Sequence, residues 1–191
     1  MKYFPLIIWL VIWPFGAGAQ GEVREWQLDA AQSSIRFSVA IENSPAEGEF
    51  TSFSTLIHFD PENLPESNVE VSIDLNQIEA SYDDVAKNLK KDNWFDVAHY
   101  PTAHFVGQDF KSLGGNKYRV TGNLTLRDVT RPETLYFTLT EYDDRHARVK
   151  GRMTLDRRDY GVGQGGWRDV SPVAGKVFLT VIIAASKQQF P

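Results

Sequence analysis

Gly161, Gly163 and Gly166 stand in the spacing G-x-G-x-x-G, within the stretch Tyr160-Gly161-Val162-Gly163-Gln164-Gly165-Gly166-Trp167-Arg168-Asp169. That spacing can cradle a dinucleotide pyrophosphate, but only where a strand enters the loop and a helix leaves it. Met153 to Tyr160 reads as a strand ending in charge. After Gly166 come Trp167, Val170, Ser171-Pro172 and a new strand near Lys176, with no helix between. No acidic residue stands at a strand end about 20 positions on, where a ribose would be held. The loop therefore reads as a flexible connection between strands. Its glycines permit positive φ, and Trp167 can fold back over it as a plug.

Other reactive constellations are no better founded. There is no cysteine, so no thiol nucleophile, and no G-x-S-x-G elbow occurs. The four histidines are His58, His99, His104 and His146; His99 and His104 lie five apart across Pro101, which is not a zinc-ligand spacing. Acidic pairs such as Asp156 and Asp159 suit solvated or capping positions in turns. Asn123-Leu124-Thr125 fits a glycosylation pattern but falls inside a predicted strand. These observations indicate no catalytic residue, no metal site and no cofactor.

What remains is a set of apolar rows, and the elements that carry them have period two. Ile35, Phe37, Val39 and Ile41 alternate with small or polar residues, as do Phe53, Thr55, Ile57 and Phe59. Val69, Val71, Ile73 and Leu75 form a third row. Tyr118, Val120, Gly122, Leu124 and Leu126 form another; then come Leu135, Phe137 and Leu139, then Val149, Gly151, Met153 and Leu155, then Val177, Leu179, Val181 and Ile183. Residues 102–112 add a strand around Phe105 and Phe110. Turn signals stand at Asp60-Pro61, Gly114-Gly115-Asn116, Arg131-Pro132 and Asp143-Asp144. About eight long strands joined by short connections fit a sandwich or a barrel. They favour an all-β, antiparallel up-and-down barrel, which leaves no exposed edge. Gly122 and Gly151 suit the tight bends of closure. One segment differs: Ser81-Tyr82-Asp83-Asp84 resembles a capping box, Val85, Ala86 and Leu89 share a helical face, and Lys90-Lys91 complement the helix end. The spacing predicts one short helix lying across one end of the barrel, followed by a docked Trp94-Phe95.

The chain opens with Lys2, a thirteen-residue apolar run from Tyr3 to Phe15, and Ala17-Gly18-Ala19. That order predicts a secretory signal peptide over residues 1–19, cleaved after Ala19, and one domain over residues 20–191. The apolar run is shorter than the roughly 20 residues a membrane span needs. The expected location is periplasmic or secreted, with no stable membrane anchor after processing. Loss of Lys2 takes the net charge from −5 to −6. An acidic protein of this kind argues against nucleic acid as a partner. Without cysteine the fold rests on its packed interior alone.

Three stretches together resemble the YceI-like family of lipid- and polyisoprenoid-binding proteins. They are Asn93-Trp94-Phe95-Asp96-Val97-Ala98-His99-Tyr100-Pro101-Thr102-Ala103-His104-Phe105, Gly122 through Pro132, and Leu155 through Trp167. Their order and spacing match as well, and the similarity covers roughly residues 24–186. The resemblance implies an exported protein with an extended lipocalin-like barrel that holds a long isoprenoid or similar amphiphile. Many members carry a His-Gly-containing stretch after the first long strand; here that place reads Ala40-Ile41-Glu42-Asn43-Ser44-Pro45. Where that stretch shapes the mouth of the cavity, the departure implies a different ligand preference.

The residue chemistry is compatible with this. The inward rows contain no charge, so they would accept a hydrocarbon tail and reject an ion. The same side chains could instead fill the barrel. Ten buried methylenes contribute roughly 8 kcal/mol against an association cost of about 4–15 kcal/mol, so a stable complex needs a long polyprenyl, quinone or fatty tail. Candidate lining residues are Phe37, Val39, Ile57, Phe59, Val71, Ile73, Leu89, Phe105, Leu124, Phe137, Val149, Met153, Leu179 and Val181. Trp94, Phe95, Tyr160 and Trp167 are candidate lid or rim residues. Arg127, Arg131, Arg157, Arg158 and Lys176 are candidate partners of an anionic head group. The leading expectation is a carrier or scavenger of a long-chain amphiphile. An enzyme acting on such a lipid, or a non-lipid stress or adhesion module, stays open, and a homodimer is compatible with the sequence.

Overall fold

The computed structural model describes residue 23 and residues 25–187. The expected signal peptide lies outside the described residues. Eleven strands form one sheet: β1 (Glu25–Leu28), β2 (Ser34–Ile41), β3 (Ser44–Phe50), β4 (Phe53–His58), β5 (Asn68–Asp74), β6 (Ile78–Ala80), β7 (Thr102–Gly114), β8 (Lys117–Leu126), β9 (Val129–Tyr142), β10 (His146–Asp156) and β11 (Val173–Lys187). Among the described residues one α-helix, α1 (Asp83–Leu89), follows β6, beside four short 3-10 turns.

The strand order β1-β4-β5-β7-β8-β9-β10-β11 closes on itself through a β1–β11 pairing, giving an eight-stranded antiparallel barrel. From β7 to β11 each strand neighbours the next in sequence, as expected of an up-and-down barrel. The earlier strands depart from that order. β1 sits between β4 and β11, while β2, β3 and β6 extend the sheet from the other half of β11. The fifteen-residue β11 makes this possible by pairing Val173–Ile182 with β2 and Ala185–Lys187 with β1.

Local chemistry explains where the chain turns. Glu42 and Asn43, at φ 48° and 67°, make the two-residue turn of the β2–β3 hairpin, the conformation whose twist suits flanking strands. The β8–β9 turn falls at Arg127-Asp128, with Arg127 at φ 56°, and not at Arg131-Pro132 as the sequence suggested. Pro132 lies inside β9, in a stretch that pairs with β8 but not with β10, so its missing N–H costs no ladder bond on that side. Gly122 lies opposite Gly107, and a Cβ on Gly122 would come within 2.5 Å of the Gly107 Cα. The two backbones touch there beside a bulge in β7, which bends the wall.

The helix forms as the spacing suggested, but without the expected cap. Its N-cap is Tyr82, which makes no side-chain cap bond, and the Ser81 hydroxyl instead donates to the Glu47 carbonyl 3.1 Å away. Asp83 and Asp84 in the first turn and Lys87 in the last still complement the helix dipole.

The apolar side chains gather at two poles. One contains Trp26, Phe59, Phe105, Tyr118, Phe137 and Leu139; the other contains Phe37, Phe50, Leu75, Trp94, Phe95 and Tyr160. Between them the inward rows Phe53-Thr55-Ile57 of β4 and Val69-Val71-Ile73 of β5 are only half-buried. Apolar side chains that face inward yet stay half-exposed border empty space, so the barrel is hollow at its waist.

Candidate functional site: an apolar cavity in two chambers

The hollow has two adjoining parts. The wide chamber, about 160 Å³, lies under the first pole, and the narrow chamber, about 100 Å³, under the second. Ile73, Leu124 and Leu179 line both and mark the waist.

Strands wall the wide chamber, with Phe59 just past the end of β4. Ile57 and Phe59, Val71, Phe105, Phe137, Val149, Met153 and Val181 all line it. Its end is plugged by aromatic rings: Phe59 meets Tyr118 and Phe137 edge-on, at centroid separations of 5.7 and 5.9 Å. The Trp26 indole N–H donates to the Phe59 carbonyl at 2.9 Å and locks the plug to β1. Thr55 is the one polar residue among the chamber's lining residues.

Helix and loop close the narrow chamber. Phe37 and Val39 of β2 form one side, and Leu89, Trp94 and Phe95 form the cover. Arg157 also lines it and is 3% exposed. Its guanidinium is not available to a head group. Nε donates to the Ala174 carbonyl at 3.0 Å, Nη1 to Val162 at 2.9 Å, and Nη2 to Trp167, Val173 and Asp169 at 2.7, 2.8 and 3.4 Å. Five carbonyls and the face of Trp94, 5.4 Å away, surround it. Burial pulls its proton affinity down, partly countered by the nearby Asp156 charge. Gly163, at φ 83°, gives this cage its shape: a Cβ there would lie 2.1 Å from Nη1. The segment that opens with G-x-G-x-x-G thus turns the Val162, Trp167 and Asp169 carbonyls toward a cation, where a pyrophosphate loop turns N–H groups around an anion.

The other head-group candidates are accounted for in similar ways. Arg127 donates through Nη1 to the Asp92 carbonyl at 2.8 Å and to the Trp94 carbonyl, and lies 3.8 Å from Asp96 and over the Tyr100 ring. It ties down the loop over the narrow chamber. Arg158 grips Asp156 with two bonds of 2.9 and 2.5 Å, which hold the Asp156 carboxyl down to about 2. Arg131 donates to the Asp159 carbonyl at 3.1 Å, and Lys176 is exposed. Of these five, only Arg157 lines a chamber. Two lid candidates also move. Tyr160 is fully buried beside the narrow chamber without lining it, and its hydroxyl donates to Glu133 at 2.7 Å; burial raises its proton affinity. Trp167 packs against Trp94 with ring centroids 5.5 Å apart and planes tilted by 52°, and also lines neither chamber.

His99 pairs with Asp96 and His104 with the Thr102 hydroxyl, so the two do not converge. Glu141, Asp143 and His146 do approach one another at the exposed β9–β10 turn, but Asp143 already accepts the Arg145 and His146 backbone amides.

Several lining residues lay outside the sequence reading. Trp26 sits on a strand of four residues, too short to show alternation. Phe50 sits in Ser44–Phe50, where Ala46 and Gly48 hold the inward places without an apolar row. Thr55, Leu135 and Ile183 did stand in legible rows.

The fold and site together define a closed antiparallel barrel, lipocalin-like in build, whose interior holds two adjoining apolar chambers. A YceI-like domain matches residues 26–185, and the chain belongs to the YceI-like family. A UPF0312 protein of Shewanella denitrificans is 29% identical over 164 residues, covering 83% of this chain and 84% of that one. The crystal structure of Burkholderia cenocepacia BcnA superposes with a TM-score of 0.79 at 30% identity, covering 83% of this chain and 99% of that one. A polyisoprenoid binding domain from Saccharophagus degradans, implicated in plant cell wall breakdown, shares the fold at 15% identity and a TM-score of 0.66, covering 87% and 99%.

Proposed function

We propose that this chain is an exported binding protein that holds a long-chain, isoprenoid-like amphiphile in the two chambers, as a carrier or scavenger. The observation that carries this reading is the pair of adjoining apolar chambers that share Ile73, Leu124 and Leu179 as a common wall. A space lined by apolar side chains, with Thr55 and the carbonyl-bound Arg157 as the exceptions, suits a tail and not a compact polar metabolite. The Saccharophagus domain of the same fold binds a polyisoprenoid, which supports the class of ligand. The leader-like first 19 residues support export. Binding is favoured over catalysis because, among the described residues, the one titratable side chain that lines a chamber is Arg157, and its donors are spent on carbonyls.

Native mass spectrometry of gently purified protein tests this. The expected result is an added mass that organic solvent releases as a long-chain lipid. Protein that arrives empty and takes up neither a polyprenol nor a long fatty amphiphile from micelles overturns the reading.

A further inference from the structure

Among the described residues three buried polar side-chain atoms lack a hydrogen-bond partner: Asn93 Oδ1, Arg127 Nε and Thr55 Oγ1. The first two belong to the loop and strut over the narrow chamber. Thr55 belongs to the cavity itself, as the one polar residue on the wall of the wide chamber. Its place in the sheet is also particular. The β1–β4 ladder spans two pairs, Glu25 with His58 and Trp26 with Ile57, and ends before Thr55, which keeps Val71 as its neighbour on the other side. Thr55 thus stands at a seam in the wall, next to the half-buried Ile57 and Val71.

A buried hydroxyl without a partner is worse for folding than a methyl group of the same shape. Valine would fill this site, suits a strand equally well and leaves nothing unsatisfied. The hydroxyl needs rotation about a single bond to point into the chamber, where it can both donate and accept.

Resting on the lipid-binding reading, we propose that Thr55 anchors a hydrogen-bonding group of the ligand, a hydroxyl or carbonyl oxygen, deep in the wide chamber. The ligand then enters polar end first, or carries an oxygen along its chain, and a bare hydrocarbon is the poorer occupant. Specificity follows because a site built to pair an oxygen loses that bond with an analogue that lacks it.

The test compares wild type, Thr55→Val and Thr55→Ser, each stripped of lipid. Binding of squalene, which has no polar atom, is measured beside a polyprenol of equal isoprene count. For Thr55→Val the polyprenol affinity should fall about three- to tenfold, the worth of one hydrogen bond, while squalene binds as well as before or better. Thr55→Ser should restore the polyprenol. Without ligand, Thr55→Val should melt about 2–4 °C higher than wild type. Equal changes for both probes, or a lower melting temperature for lipid-free Thr55→Val, overturn the inference while leaving the lipid reading standing. Failure of both probes to enter the wild-type barrel overturns the lipid reading, and this inference with it.

Discussion

The wide chamber is walled by strands, whereas the narrow one is closed by a helix and two loops that arginines hold in place. Around the wide chamber the wall needs no charge: alternation turns one side of each strand inward, and the ladders satisfy the backbone. Around the narrow chamber the loops have no ladder, so their carbonyls need other donors. Arg157 and Arg127 supply them, from a strand end and from a hairpin turn. Charge at a cavity rim can therefore be architecture. An arginine next to an apolar pocket suggests a head-group clamp until its partners are counted, and here Arg157 donates to five backbone carbonyls and Arg127 Nη1 to two.

The largest expected effect follows from that difference. Replacing Arg157 with Met keeps much of the apolar stem but strands five carbonyls, and should destabilise the fold by about 3–5 kcal/mol in chemical denaturation. Gly163→Ala should reproduce a large part of that loss, since its Cβ would strike Nη1 and its backbone sits at φ 83°. If Arg157→Met costs less than about 1 kcal/mol, the loop closes without its cation and the contrast between the chambers fails.

The second effect tests the waist they share. Leu124 borders both chambers, and Leu124→Trp places an indole across the passage. Long-tail binding should weaken about a hundredfold, close to 2.7 kcal/mol, with circular dichroism unchanged. Retained affinity would mean that one chamber suffices for the tail.

The contrast also explains what could be read from the chain alone. Rows such as Val69-Val71-Ile73 and Val177-Leu179-Val181 have a physical reason to be legible, because burying one face of a strand forces period two on the sequence. Those rows place the barrel and thirteen of the candidate cavity residues on a chamber wall, and the helix and the segment after it add Leu89, Trp94 and Phe95. Tyr160 and Trp167 do not follow, because nothing local separates a ring that lines a cavity from one that packs behind its wall. The bonds of Arg127 and Arg157 are not legible for a related reason: their partners are backbone carbonyls up to 35 residues away, and carbonyls have no letter in a sequence. β3 shows no apolar row because two of its three inward positions, Ala46 and Gly48, are small. A Cβ on Gly48 would lie 2.2 Å from the Phe37 ring, so the strand exists to make room and shows no apolar row.

A smaller effect distinguishes a hollow wall from a packed one. Met153 lines the wide chamber and is half-buried. In a filled core Met→Ala costs about 2–5 kcal/mol, much of it for the cavity created. Here the void already exists, so Met153→Ala should cost about 1–1.5 kcal/mol, mainly the lost transfer of its own atoms. A cost near 4 kcal/mol in the lipid-free protein would show that side chains fill this chamber in solution.

The smallest effect returns to the rim. Asp156 caps the turn that carries Arg157, accepting the Arg158 backbone N–H at 3.0 Å as well as its guanidinium. The Arg158 side-chain bonds, opposed by partial burial, lower its carboxyl from 3.8 to about 2. Because the folded chain binds this proton more weakly than the unfolded chain, the stabilisation is full above pH about 4. It fades as the pH falls to about 2. Arg158 is half-exposed, so solvent screening reduces the gain to about 1 kcal/mol. Asp156→Asn should therefore lower stability at pH 7 by about that amount and leave it nearly unchanged at pH 2, as read from denaturation at the two values. A loss equal at both would mean that Asp156 acts through its cap to the Arg158 amide, a bond asparagine's shape disturbs, and that its charge adds nothing to the closure of the narrow chamber.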